Sequence, residues 1–322
     1  MFAAPPVIQT RIFATVPDEL QIKNASNFFT KILGRSIGSF LEGPSFDRDG
    51  NLYCVDVPYG RIFRLDPRGN FDLFLEYDGQ PNGLKIHRDG RLFIADRRRG
   101  IVVVDPAERR PHYLIEGPDM EQFRGPNDLV FAMDGDLYFT DQGMSDLVNP
   151  TGRVFRLRTD GRLELVLDRL VSPNGIALDA TGRLLYVALT RANCIVKCLI
   201  MVDGRLTRVQ NFIQLSGGAG PDGLACDAAG NIAIAHPQLG AVWLFDSTGQ
   251  PTLRVELCKG HHGTNIAFGG PDGRTLYITE SETGTIQIAE LPVPGVSMFS
   301  HADALAVGHL PKGHHDHPTS DA

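Results

Sequence analysis

Long apolar runs are missing from this 322-residue sequence. No stretch of 18 apolar residues occurs, which excludes a membrane-spanning helix. A basic excess is missing as well: the net charge is −7 and the pI about 5.8, so a nucleic-acid partner is not expected. The single basic run, Arg97-Arg98-Arg99, is too short to track a phosphate backbone and reads as a solvated loop. The first residues, MFAAPPVIQTRIFATV, lack a basic segment followed by an apolar core, so no secretory signal is expected. Cysteine is scarce and odd in number. Cys54, Cys194, Cys198, Cys226 and Cys258 show no CxxC pair, which points to reduced thiols and a cytoplasmic location. Cys194 and Cys198 share one side of a predicted strand as packing residues. GxGxxG and GxxxxGKS phosphate loops and the GxSxG nucleophile elbow are also absent.

What the chain has in quantity is turn residues, 35 Gly and 21 Pro, without low complexity. They punctuate a repeat. Its copies are GPSFDRDGNLYCVD from Gly43, QPNGLKIHRDGRLFIAD from Gln80 and GPNDLVFAMDGDLYFTD from Gly125. SPNGIALDATGRLLYVAL from Ser172, GPDGLACDAAGNIAIAH from Gly220 and GTNIAFGGPDGRTLYITE from Gly263 complete the set. Pro44, Pro81, Pro126, Pro173 and Pro221 lie 37, 45, 47 and 48 residues apart. Each copy holds two short apolar strands around a turn. A third strand follows, as in GRIFRLD from Gly60 or GAVWLFD from Gly240, and then a fourth, as in FDLFLEY from Phe71. Four antiparallel strands repeated six times predict an all-β, six-bladed β-propeller.

Residues 1–294 are expected to form this single propeller, with a strand near Val7–Val16 closing the last blade from outside. Residues 18–39 read as a partly helical loop, either over one channel mouth or as an ordinary surface excursion. Residues 295–322 read as a disordered tail, His314, His315 and His317 included.

Aligning the copies places Ser45, Asn82, Asn127, Asn174, Asp222 and Asn265 where each innermost strand starts. One copy alone reads as a turn, because Asn and Asp tolerate tight geometry. Six copies around an axis read as a converging ring that needs something to bind. Oxygen donors without paired Cys or His favour one divalent cation, calcium before magnesium, with manganese or zinc as alternatives. Asp222 supplies one carboxylate and Glu42 the natural second. The second strands end at Asp56, Asp96, Asp141, His236 and Glu280, expected to ring the ion at larger radius. His236 reads either as structural or as a substrate contact or proton shuttle. Arg124, three residues before Asn127, reads either as a surface residue or as a clamp for an anionic or hydroxyl-rich ligand.

From about Phe40 to Pro292 the chain resembles the senescence-marker-protein, gluconolactonase and luciferin-regenerating family. FLEGPSFDRDGNLY, GPNDLVFAMDGDLYFTD, SPNGIALD, GPDGLACD and TNIAFGGPDGRTLYIT carry the resemblance. It implies a six-bladed propeller that hydrolyses lactones of sugar acids or related hydroxy acids. By matching motifs it implies Glu42, Asn174 and Asp222 as ligands of one divalent metal, with Asp222 also the catalytic base. It further implies Asn127 and Arg124 as substrate contacts and a second, structural calcium near Asp141. Asn82, His236 and Asn265 join the expected substrate-binding set. A small-molecule substrate and a monomer or small homo-oligomer are expected. A non-hydrolytic binding propeller and a metal-dependent lyase or dehydratase are the alternatives on the same scaffold.

Overall fold

The computed structural model describes residues 4–23 and 37–302. Six sheets surround one axis; in four the strands follow chain order from the axis outward, and in the other two an N-terminal strand is added outermost. The innermost strands are Leu41–Phe46, Pro81–Ile86, Pro126–Phe131, Pro173–Leu178, Leu224–Cys226 and Gly263–Gly269, numbered here as blades 1 to 6. Four strands in each blade pair antiparallel with their neighbours. Helix is confined to short 3-10 turns among the described residues. No helix there is long and apolar enough to cross a membrane.

The strands read as nearly continuous apolar runs because both faces of every blade are buried. In blade 2, Leu92 and Ile94 pack toward blade 1 while Phe93 and Ala95 pack toward blade 3. The same alternation yields six apolar clusters, one in each gap between neighbouring blades. With six interfaces of this kind, no cross-link is needed to hold the ring. The five cysteines are all free thiols.

The N-terminal strand closes the ring as expected, but it divides. Arg11–Thr15 is the outer strand of blade 6, antiparallel to Thr285–Glu290. Val7–Gln9 runs parallel to Pro251–Glu256 as a fifth strand of blade 5. Buried Thr10 makes the crossing: its hydroxyl donates to Gln287 Oε1 at 2.6 Å and accepts from the Cys258 amide at 2.8 Å. The terminus therefore ties two blades together.

The helical reading of 18–39 falls largely on residues 24–36, outside the described residues. Their described flanks are joined where the Ile22 amide donates to the Gly38 carbonyl at 2.9 Å. Residues 295–302, assigned by sequence to the tail, are packed across the lower face. Phe299 is buried against Phe131 and His87, and Arg48 Nε donates to the Ser300 carbonyl at 2.8 Å.

Glycine lets the innermost strands approach closely around the axis. A Cβ on Gly175 would lie 2.1 Å from the Asp222 carbonyl oxygen, and one on Gly223 would lie 2.2 Å from Asn265 Oδ1. Gly175→Ala is expected to destabilise by about 3 kcal/mol, since backbone of the next blade must move. Thermal melting checks this, with a fall of at least about 6 °C expected.

Candidate functional site

The site forms where the innermost strands begin, called here the upper end of the channel. A shift in strand register marks that point in blades 1, 2, 3, 4 and 6. Irregularities of this kind re-aim side chains, and here they turn polar groups toward the axis. The pairings also set which residues are equivalent. Leu41 faces Asp56 as Pro81 faces Asp96 and Pro126 faces Asp141. The next positions are therefore Glu42, Asn82, Asn127, Asn174, Asp222 and Thr264.

This corrects the sequence alignment in blade 1, where Pro44 stands three residues beyond the other prolines. Ser45 pairs with Tyr53 and is equivalent to Lys85 and Val130 farther down the channel. It borders a cavity of 740 Å³ at the lower mouth and is not part of the upper ring. Glu42 occupies the place that Ser45 was given.

Asn265 also shifts, and the shift exposes a residue that sequence reading missed. Asn265 lies one position later, equivalent to Asp128; blades 1, 2, 4 and 5 have Gly43, Gly83, Gly175 and Gly223 there. The two side chains are built alike. The Asp128 amide donates to Thr140 Oγ1 and the Asn265 amide to Thr279 Oγ1, each at 3.0 Å. Asp128 Oδ1 accepts from Leu129 and Asn265 Oδ1 from Ile266, each at 2.8 Å. They come from opposite blades yet meet on the axis, with Asn265 Nδ2 3.4 Å from Asp128 Oδ2. Asn265 Nδ2 also donates to Glu42 Oε2 at 3.0 Å. The pair forms a floor under Glu42 and Asp222.

Three carboxylates thus converge. Glu42 and Asp128 are 3% and 1% exposed, whereas Asp222 is half-buried and reached from the mouth. Burial holds Glu42 well above the usual carboxylate range, and repulsion from Asp222 and Asp128 adds to it. Hydrogen bonds from Asn265 and Gly43 oppose the rise. Asp222 is pushed up to about 8 by burial and then by Asp128, against a hydrogen bond from Asn174. None of the three forms an ion pair among the described residues. Above them the Oδ1 atom of Asn82 is buried without a hydrogen-bond partner. Crowded carboxylates and an unpartnered oxygen acceptor fit a hard divalent cation. Among the described residues no three His, Cys, Asp or Glu side chains form a ready-made metal cluster, so a cation here would need amide oxygens besides carboxylates.

Asn127 stands beside this cluster, its Nδ2 donating to Gln142 Oε1 at 3.0 Å. Arg124 points elsewhere. It is exposed and hydrogen-bonds the Thr151 carbonyl on the outer side of blade 3.

The residues ending the second strands do not form an outer ring of ligands. Asp56, Asp96, Asp141 and Glu280 accept from the amides of Phe40, Gln80, Gly125 and His262, the residues just before four innermost strands. They are staples that fix where each innermost strand begins. Asp141 is the clearest case, because Arg153 Nε and Nη2 hold its Oδ2 at 2.9 and 2.7 Å. Its carboxylate is engaged by that guanidinium and by the Gly125 amide. Asp141→Asn is expected to lower stability by about 3 kcal/mol by removing the buried partner of Arg153 and leaving it only the exposed Glu121. Its calcium stoichiometry, measured by calorimetry, should equal that of the wild type. His236 is buried, its Nε2 3.0 Å from the Gly217 carbonyl. Burial lowers its pKa against that bond, so the ring is neutral at pH 7 and Nε2 carries the proton.

The fold and the site together define a six-bladed propeller with an oxygen-donor cluster closing its axis. A model of the SMP-30/Gluconolactonase/LRE-like region matches residues 40–282, and the chain belongs to that family. It is 32% identical over 273 residues to the gluconolactonase of Zymomonas mobilis, covering 74% of this chain and 76% of that one. It is 30% identical over 292 residues to lactonase drp35 of Staphylococcus aureus, covering 84% and 85%. The solved structure of a gluconolactonase from Xanthomonas campestris matches with a TM-score of 0.70 at 26% identity, over 79% of this chain and 86% of that one.

Proposed function

We propose that the protein is a lactonase that opens the cyclic ester of a sugar acid or related hydroxy acid at the upper end of the channel. The observation that carries this reading is the convergence of Glu42, Asp128 and Asp222, without cationic partners among the described residues, in a family whose relatives are named lactonases. Glu42, Asn174 and Asp222 would hold a divalent cation, calcium by the hardness of the donors. When bound, that ion supplies a Lewis acid for the ester carbonyl and lowers the pKa of nearby water.

The chain's own groups do the rest. Asp222 is the carboxylate reached from the mouth, and its Oδ atoms accept the proton of the attacking water. As the water oxygen bonds to the carbonyl carbon and the ring C–O bond breaks, the same carboxyl returns a proton to the departing ring oxygen. Burial, and after it the field of Asp128, raises the pKa of Asp222 and so sustains its basicity. Asn127, held by Gln142, presents its amide to the substrate, with Asn82 at the equivalent position of the neighbouring blade beside it. Asp128 and Asn265 close the channel beneath.

A panel of sugar-acid lactones, followed by acid release with and without chelator, tests the reading. Chelator-sensitive acid release is expected. An unsaturated product would replace hydrolysis by elimination, and the absence of turnover across the panel would leave a binding propeller.

A further inference from the structure

Blades 2 to 4 carry a feature on the upper rim that the reaction does not use. Arg97 begins the basic run that the sequence suggests is solvated. Arg98 and Arg99 do lie outside and pair with Asp78. Arg97 turns inward instead, and its Nη1 donates to Gln142 Oε1 at 3.1 Å, the same oxygen that receives the Asn127 amide. Gln142 Nε2 donates to Ser172 Oγ at 3.0 Å, and Arg191 Nη1 reaches that Oγ at 3.1 Å and the Ser145 carbonyl at 2.8 Å. Arg97, Gln142, Ser172 and Arg191 therefore form one chain over Asn127, two residues from Asn174.

Both guanidiniums hang on the one Gln142–Ser172 bridge, and the charge of Arg191, after burial, lowers the pKa of Arg97. Like charges held together by design need an anion between them. Asp141 and Asp96 oppose that shift in Arg97 without forming an ion pair with it among the described residues. Neither arginine has an ion pair among the described residues. Asp96 is taken by Tyr77 and the amides of Gln80, Arg98 and Arg99, and Asp141 by Gly125 and Arg153. Arg97 is half-buried and Arg191 exposed, so the pair can be reached from solvent.

We infer that the substrate bears an oxyanion group, carboxylate or phosphate, which Arg97 and Arg191 grip while the lactone ring lies over Asn127 and Asp222. This rests on the lactonase reading for the ring and on the arginine pair for the anion.

The test separates the two. Binding of glucono-1,5-lactam, a non-hydrolysable neutral analogue, is compared by calorimetry with its 6-phosphate and its 6-carboxylate, in calcium-loaded protein. The charged forms should bind roughly tenfold to a hundredfold more tightly than the neutral one. That ratio should collapse toward one in Arg97→Met and in Arg191→Met, which lie on different blades, and persist in Arg98→Met. The better of the two charged lactams identifies the anion. Equal affinity for charged and neutral lactams, or a preference that survives both substitutions, overturns the inference. If the preference holds but the matching lactones are not hydrolysed, the anion site stands and the lactonase reading fails.

Discussion

Asp222→Asn is expected to lower kcat on a lactone by about a thousandfold, within the range that removal of a general base produces. The substitution keeps the shape of the side chain and removes its charge. It also relieves repulsion among Glu42, Asp128 and Asp222, which raises the pKa of Glu42 in the unsubstituted protein. In chelator the variant should therefore melt no lower than the wild type, and higher above neutral pH. A destabilising change could not combine lost turnover with a gain in cation-free stability, so the two measurements together distinguish a chemical role from a structural one. Asp128→Asn should follow the same pattern more weakly, because Asp128 modulates the cluster from its floor.

The second large effect is on stability, and its sign changes with the cation. An aspartate in an unfolded chain titrates near about 3.9, whereas Asp222 in the fold is pushed up to about 8. Between those values the native state holds a proton that the unfolded chain has lost. The stabilisation is fully present below the unfolded value and disappears as pH rises through the folded one. Cation-free protein should thus lose stability from pH 5 to pH 8, with Glu42 contributing in the same direction. A divalent ion takes the proton's place, so its contribution grows over the same interval. At about a thousand times its dissociation constant it adds about 4 kcal/mol, or roughly 8 °C or more in Tm. Melting curves at pH 5.5, 7 and 8.5, in calcium and in chelator, should diverge with rising pH. Parallel curves would show that these carboxylates are not where the ion binds.

Much of the architecture was legible because a propeller repeats its punctuation. Prolines at blade spacing and paired strands around Asp-Gly turns locate six blades, and the apolar runs follow from burial on both faces. Details requiring register were not legible. Pro44 resembles the other repeat prolines, but the pairing of Leu41 with Asp56 places it three residues farther along, so Ser45 was set where Glu42 belongs. Asp128 escaped because it follows the aligned Asn127 at a position where four blades carry glycine; a side chain in that slot, shared only with Asn265, was the available signal. The strand-end acids looked like ligands because they recur with the repeat, yet they recur to cap backbone amides. Arg97 was hidden in a run of three arginines whose other two members are surface residues. A sequence pattern gives spacing along the chain, and these four cases depend on which way a side chain turns.

The central claim is that the cluster on the axis works only as a cation site. Chelated, dialysed protein should be titrated with calcium while bound ion and lactone hydrolysis are measured on the same samples. The account predicts no turnover at zero occupancy and activity proportional to bound calcium, saturating at about one ion per chain, with neither binding nor turnover restored in Glu42→Gln. Full hydrolysis by protein shown to be free of metal would contradict it.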